Sequence, residues 1–140
     1  MHEFRGAIEA LRAQQRARAR HELCVRGEAL AARHLADLGY TELARNLRVG
    51  HDEAGLVMLA PCGRTLVVVE VKTRSDAGAR PEERVDHGKR ASLTRLARTL
   101  AEQPALRPLL VRFDVLAIVL AAGLEPELRH FIDAWEPATA

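Results

Sequence analysis

Residues 66–74 read Leu-Val-Val-Val-Glu-Val-Lys-Thr-Arg. The run is β-branched and apolar until Glu70-Val71-Lys72, as expected of a buried strand that ends in charge. Side chains alternate along a strand, so Glu70 and Lys72 leave it on the same face. An unpaired charge at a buried strand end costs several kcal/mol, on the order of what a whole core side chain contributes. A carboxylate and an ammonium placed side by side therefore read as a pair with a purpose.

The segment before this strand supplies its partner. Gly55 to Leu59 reads as another strand, and Ala60-Pro61-Cys62-Gly63-Arg64 as the turn between the two, giving an antiparallel hairpin. Glu42 to Val49 reads as a partly exposed strand before it. Upstream, Leu23, Leu30, Leu35 and Leu38 form a helical face over residues 21–38, closed by Gly39-Tyr40. Residues 4–20 form a basic helix whose only apolar stripe is Phe4, Ile8 and Leu11, and they read as a frayed extension. Residues 73–84 are polar and read as a surface loop. Leu93, Leu96, Ala97 and Leu100 predict a second helix over residues 85–103, stopped by Pro104 and Pro108. Leu109 to Leu120 is a long strand, polar only at Arg112 and Asp114. Phe131, Ile132 and Trp135 offer a last short apolar element. The order is helix, three-strand meander, helix, strand: an α/β domain with a mixed sheet flanked by helices. Residues 1–20 are the extension and residues 21–136 the single domain.

Composition agrees. The chain has 140 residues, 48% hydrophobic and 29% charged, which suits one globular core. Val115 to Ala122 is the longest apolar run, far short of the roughly 20 residues a membrane helix needs. The N-terminus lacks a signal peptide's apolar stretch, so a cytoplasmic location and free Cys24 and Cys62 thiols are expected. The net charge of +2 hides an uneven distribution. Arg12, Arg16, Arg18, Arg20 and Arg26 cluster early, a second basic set runs from Lys72 to Arg98, and Glu125 to Glu136 is acidic. Basic clusters suit a polyanion, although charge alone favours solvated helix faces over that reading. Of 21 basic residues only Lys72 and Lys89 are lysine; at those positions a compact ammonium is what the chain retains.

An ordered series of motifs goes further: Gly27-Glu28-Ala29, Gly39-Tyr40, Arg45-Asn46-Leu47-Arg48, residues 66–74, Val85-Asp86-His87-Gly88-Lys89-Arg90 and Arg112-Phe113-Asp114-Val115. With the element order, this series resembles the restriction-endonuclease-like fold. More closely, it looks like the YraN-type family of small bacterial proteins, which is similar to archaeal Holliday-junction resolvases. The resemblance implies a Mg²⁺- or Mn²⁺-dependent DNA endonuclease site, with Glu28, Glu70 and Lys72 as catalytic residues. Glu70 would ligate the metal and Lys72 would orient water or neutralise the phosphate. A further carboxylate is implied on the second strand, where Asp52-Glu53-Ala54-Gly55-Leu56-Val57 puts Gly55 in its place. Mg²⁺ is usually held by one or two carboxylates, so an impaired metal site is expected. Glu53, two residues away on the same face and about 6.5–7 Å along the strand, and Glu28 are the candidates to compensate as weak ligands, while Asp52 points to the other face. Arg74, Lys89, Arg90 and Arg95 would contact phosphates of branched or double-stranded DNA. A homodimer is a further expectation. The alternative is a non-catalytic interaction or scaffold module on the same fold, binding a partner protein through the basic helix. Asp114 with Arg112 reads as a structural pair; the scattered histidines, His130 among them, read as surface or cap residues.

Overall fold

A computed structural model describes residues 2–136, the side chains of residues 83 and 84 excepted. In chain order the elements are α1 (His2–Asp37), β1 (Thr41–Val49), β2 (Asp52–Leu59), β3 (Thr65–Arg74), a 3₁₀ turn (Pro81–Arg84), α2 (His87–Ala101), β4 (Leu110–Val119) and β5 (Glu127–Phe131). They build one mixed sheet in the order β1-β2-β3-β4-β5. Only β3 and β4 are parallel, joined through α2; the other pairs are antiparallel.

The strand alternation read from residues 66–74 organises both layers. Val67 and Val69 join Ala31, Leu35, Leu56, Met58, Leu116 and Ile118 under α1. Leu66 and Val68 join Val57, Leu93, Leu96, Phe113, Val115 and Trp135 under α2. Each fully buried Leu, Ile or Phe in these layers contributes about 1.5–3 kcal/mol. α1 can approach β3 closely because Gly27 has no side chain: a Cβ there would lie 1.9 Å from the Thr73 hydroxyl oxygen. The helix ends at Gly39 (φ +93°), where the Gly39 and Tyr40 N–H groups donate to the carbonyls of Ala36 and Leu35.

Four expectations need correction. α1 is one unbroken helix rather than a frayed extension followed by a second helix. No glycine or proline lies between Gly6 and Gly27 to interrupt it, and the described residues up to Glu22 are exposed. α2 starts at His87, not at 85, because the Asp86 carboxylate accepts the Lys89 N–H at 2.8 Å and caps the helix. The polar stretch 73–84 is not all loop: β3 continues to Arg74 and residues 81–84 form the 3₁₀ turn. Finally, the C-terminal apolar element is a polar edge strand, β5, in which Phe131 is exposed; only Trp135 of the three residues that suggested it is buried.

Candidate functional site

β2 and β3 stay paired only as far as Leu56 and Val69. Beyond that point they form a fork, and Glu70 stands at its throat. Glu70 and Lys72 follow Leu66 and Val68 onto the α2 face, as their spacing requires. Glu70 is 7% exposed. The Lys72 ammonium lies 3.9 Å from its carboxylate, and the Lys89 ammonium lies closer, at 3.5 Å. Lys89 reaches in from the first turn of α2, anchored by the Asp86 cap, and donates to the Glu53 carbonyl at 2.9 Å. Even so, Glu70 Oε2 is buried without a hydrogen-bond partner among the described residues. Burial pushes the Glu70 carboxyl above its ordinary range, the two lysines pull it back in part, and Glu28 adds to the rise.

Glu28 comes from the opposite side of the fork. A Cβ at Gly55 would stand 3.6 Å from Glu28 Oε1 and 3.7 Å from Val71 Cγ2, on the α1 face. Asn46, a left-handed residue within β1 (φ 51°), shares a cleft with the Glu28 carboxylate. Burial raises the Glu28 carboxyl; Asn46 offsets part of the rise and Glu53 adds to it. A cleft of about 430 Å³ lies here, lined by His21, Cys24, Val25, Glu28, Asn46 and Glu53. Glu53 shares the Gly55 face as expected, but its carboxylate is engaged by Arg48 at 3.3 Å. Asp52 does point the other way, accepting from Ser92 at 2.6 Å and Arg95 at 2.9 Å.

This arrangement does not fit a divalent ion. Glu70 faces two ammonium groups, Glu28 and Glu53 are held on the far side, and Gly55 offers no oxygen. Among the described residues no three His, Cys, Asp or Glu side chains are grouped to hold a metal. What the fork can do is present Lys72, Lys89 and a proton-accepting or proton-donating Glu70 to a phosphate group.

The four basic residues assigned to phosphates divide. Arg95 is paired with Asp52 and Lys89 with Glu70. Arg74 donates to the Thr73 carbonyl at 2.8 Å, and Arg90 lies over the Trp135 ring. Neither of these two has a carboxylate partner among the described residues. Lys89 as a ligand of Glu70 was not visible in the sequence, although its being one of two lysines was the available signal.

Asp114 is wholly buried and structural, as its pairing with Arg112 suggested. It accepts twice from Arg112 at 2.8 Å, from the Asp133 N–H at 3.0 Å, and shares a 2.8 Å hydrogen bond with His130. Arg112 also donates to the Tyr40 hydroxyl at 2.8 Å, tying the end of α1 to β4. His130 is therefore no surface histidine. Cys24 and Cys62 are free and exposed, and no described helix is long and apolar enough to cross a membrane.

Residues 27–118 match the model of an uncharacterised protein family, UPF0102. That segment begins at the first buried residue of α1 and leaves Trp135 outside it. A UPF0102 protein of Pelobacter propionicus is 38% identical over 114 residues, covering 81% of each chain. One from Geobacter sulfurreducens is 38% identical over 117 residues, covering 83% of this chain and 90% of its own. One from Porphyromonas gingivalis is 42% identical over 97 residues, covering 69% and 70%.

Proposed function

The chain belongs to the uncharacterised protein family UPF0102, and from that premise we propose that it binds nucleic acid, branched or double-stranded DNA first, on an endonuclease-like fold whose metal site is impaired. One observation carries the reading: the Glu70 carboxylate at the β2–β3 fork is met by Lys72 and Lys89, while Gly55 stands where the resemblance implies a ligand. A phosphodiester entering the fork meets two ammonium groups that Glu70 already orients. Arg74 and Arg90, free of carboxylate partners among the described residues, extend the positive surface on either side. Affinity then follows salt more than sequence. Hydrolysis would need Mg²⁺ or Mn²⁺, for which Glu70, already facing two ammonium groups, is a poor ligand.

Titration of duplex and four-way-junction DNA at about 50 and 200 mM salt tests this, with a fall in affinity of tenfold or more expected for several phosphate contacts. Absence of binding at the lower salt sinks the reading. It would favour the second one, a scaffold that engages a protein partner through α1, for which the exposed Phe4, Ile8 and Leu11 are the supporting feature.

A further inference from the structure

A second cleft, of about 470 Å³, opens between the 3₁₀ turn, α2, β4 and β5, within the size range of small-ligand sites. It adjoins the fork directly. Val115, on its wall, is the register neighbour of Glu70, one strand spacing of about 4.8 Å away on the same face. Arg90, also on its wall, follows Lys89 in sequence.

The wall pairs apolar surface with unanswered donors. Val85, Val115 and Ile132 supply the apolar part. Trp135, 8% exposed, stacks on Phe113 with centroids 5.1 Å apart, and the Arg90 guanidinium lies 5.7 Å from the Trp135 centroid. The Trp135 indole nitrogen and Arg90 Nε are both buried and find no acceptor among the described residues. Among the described residues, the carboxylate of the wall does not serve them: Glu82 is taken by Arg129 at 3.0 Å. Buried donors left unanswered are costly, so a site that holds two of them favours a ligand with acceptors.

We propose that this cleft takes an unpaired nucleobase of the nucleic acid bound at the neighbouring fork. The inference rests on the nucleic-acid reading and adds to it a preference for strands with an unpaired nucleotide. A base carries in-plane carbonyl and ring-nitrogen acceptors between two apolar faces, which matches donors set in an apolar wall. Its face can extend the Phe113–Trp135–Arg90 stack, because bases stack on guanidinium planes as they do on aromatic rings. A phosphate alone would forgo the apolar wall. A paired base would first have to leave its helix at a cost of a few kcal/mol, which an unpaired one avoids.

Trp135 is the chain's only tryptophan, so its fluorescence reports on the cleft without a label. The probes are a blunt DNA duplex, the same duplex with one unpaired nucleotide, and that duplex with an abasic residue at the unpaired position. The unpaired nucleotide should change Trp135 emission and tighten binding about tenfold over the abasic form, within the range for one base stacked on a side chain. Ala134→Phe, which fills the cleft from an exposed position, should erase that preference and leave blunt-duplex affinity unchanged. Trp135→Phe, which keeps the ring stack but removes the donor, should reduce the preference. If all three duplexes bind equally and emission stays constant, the inference is overturned while the nucleic-acid reading stands. If no duplex binds at low salt, both fall. If a free nucleoside monophosphate changes Trp135 emission and no duplex does, the cleft is a mononucleotide site and the inference is likewise overturned.

Discussion

Asp114 is a wholly buried carboxylate held by four hydrogen bonds among the described residues. Burial pushes its carboxyl up, but the hydrogen bonds from His130, Arg112 and the Asp133 N–H outweigh burial and hold it below the ordinary aspartate range. A depressed carboxyl contributes stability above its unfolded pKa, about 3.9, and that contribution is lost as pH falls through the folded value. Asp114→Ala should therefore cost about 3–5 kcal/mol at neutral pH, since Arg112 is left without its partner. Asp114→Asn should flatten the acid limb of stability against pH in denaturant melts; an unchanged limb would exonerate Asp114. Gly55 makes the opposite case, a position where a side chain can be added. Its Cβ direction is open at ordinary contact distances and its φ is not left-handed, so Gly55→Asp should fold normally. It would place a carboxylate beside Glu28 and raise Mn²⁺ affinity, read by calorimetry, whereas equal affinities would mean that Lys89 and Lys72 exclude the ion regardless. The sequence exposed the Glu70–Lys72 pair through spacing alone and named Gly55 through its flanks. It hid the inward turn of Lys89, because charge read along a helix says nothing about which carbonyl or carboxylate lies within reach.

Packing between elements turns on a few close approaches. Gly27→Ala would drive a methyl group into Thr73 and separate α1 from β3, at a cost of about 1–3 kcal/mol. Thr73→Ala should recover part of that loss in the double variant, and strict additivity would count against the contact. Asp86→Ala removes the cap of α2 at about 1 kcal/mol, and because the cap fixes Lys89, the same change should weaken duplex binding. Most of these elements were legible. The apolar run of β3, the turn at residues 60–64 and the leucine spacing of α2 each obey a periodicity that burial on one face enforces. β5 was not, because Glu127, Arg129 and His130 lie on an edge strand whose partners are ion pairs and the Asp114 network rather than a core. The continuity of α1 was also missed: without an apolar stripe, residues 4–20 look frayed, yet nothing in them breaks a helix.

At the scale of the whole molecule, the sheet and its two layers are confined to the part of the chain that begins near Gly27, and residues 2–22 are exposed throughout. Deleting residues 1–22 should change unfolding free energy by less than about 0.5 kcal/mol in denaturant melts, in line with exposed positions elsewhere. It should also lower the salt slope of DNA binding if Arg12, Arg16, Arg18 and Arg20 touch phosphates, and leave it unchanged if the fork and its flanks carry the contacts. The mixed architecture followed from the order of elements, whereas the two clefts beside the fork arise only from side chains that meet across three or four elements. α1 has a mechanical consequence as well. A helix rises about 1.5 Å per residue, so its exposed N-terminal part is a rod of roughly 30 Å fixed to one side of the body. The molecule must tumble as a lopsided rotor, and ¹⁵N relaxation should sort its amides by bond direction, those of α1 relaxing together and apart from those that lie across it.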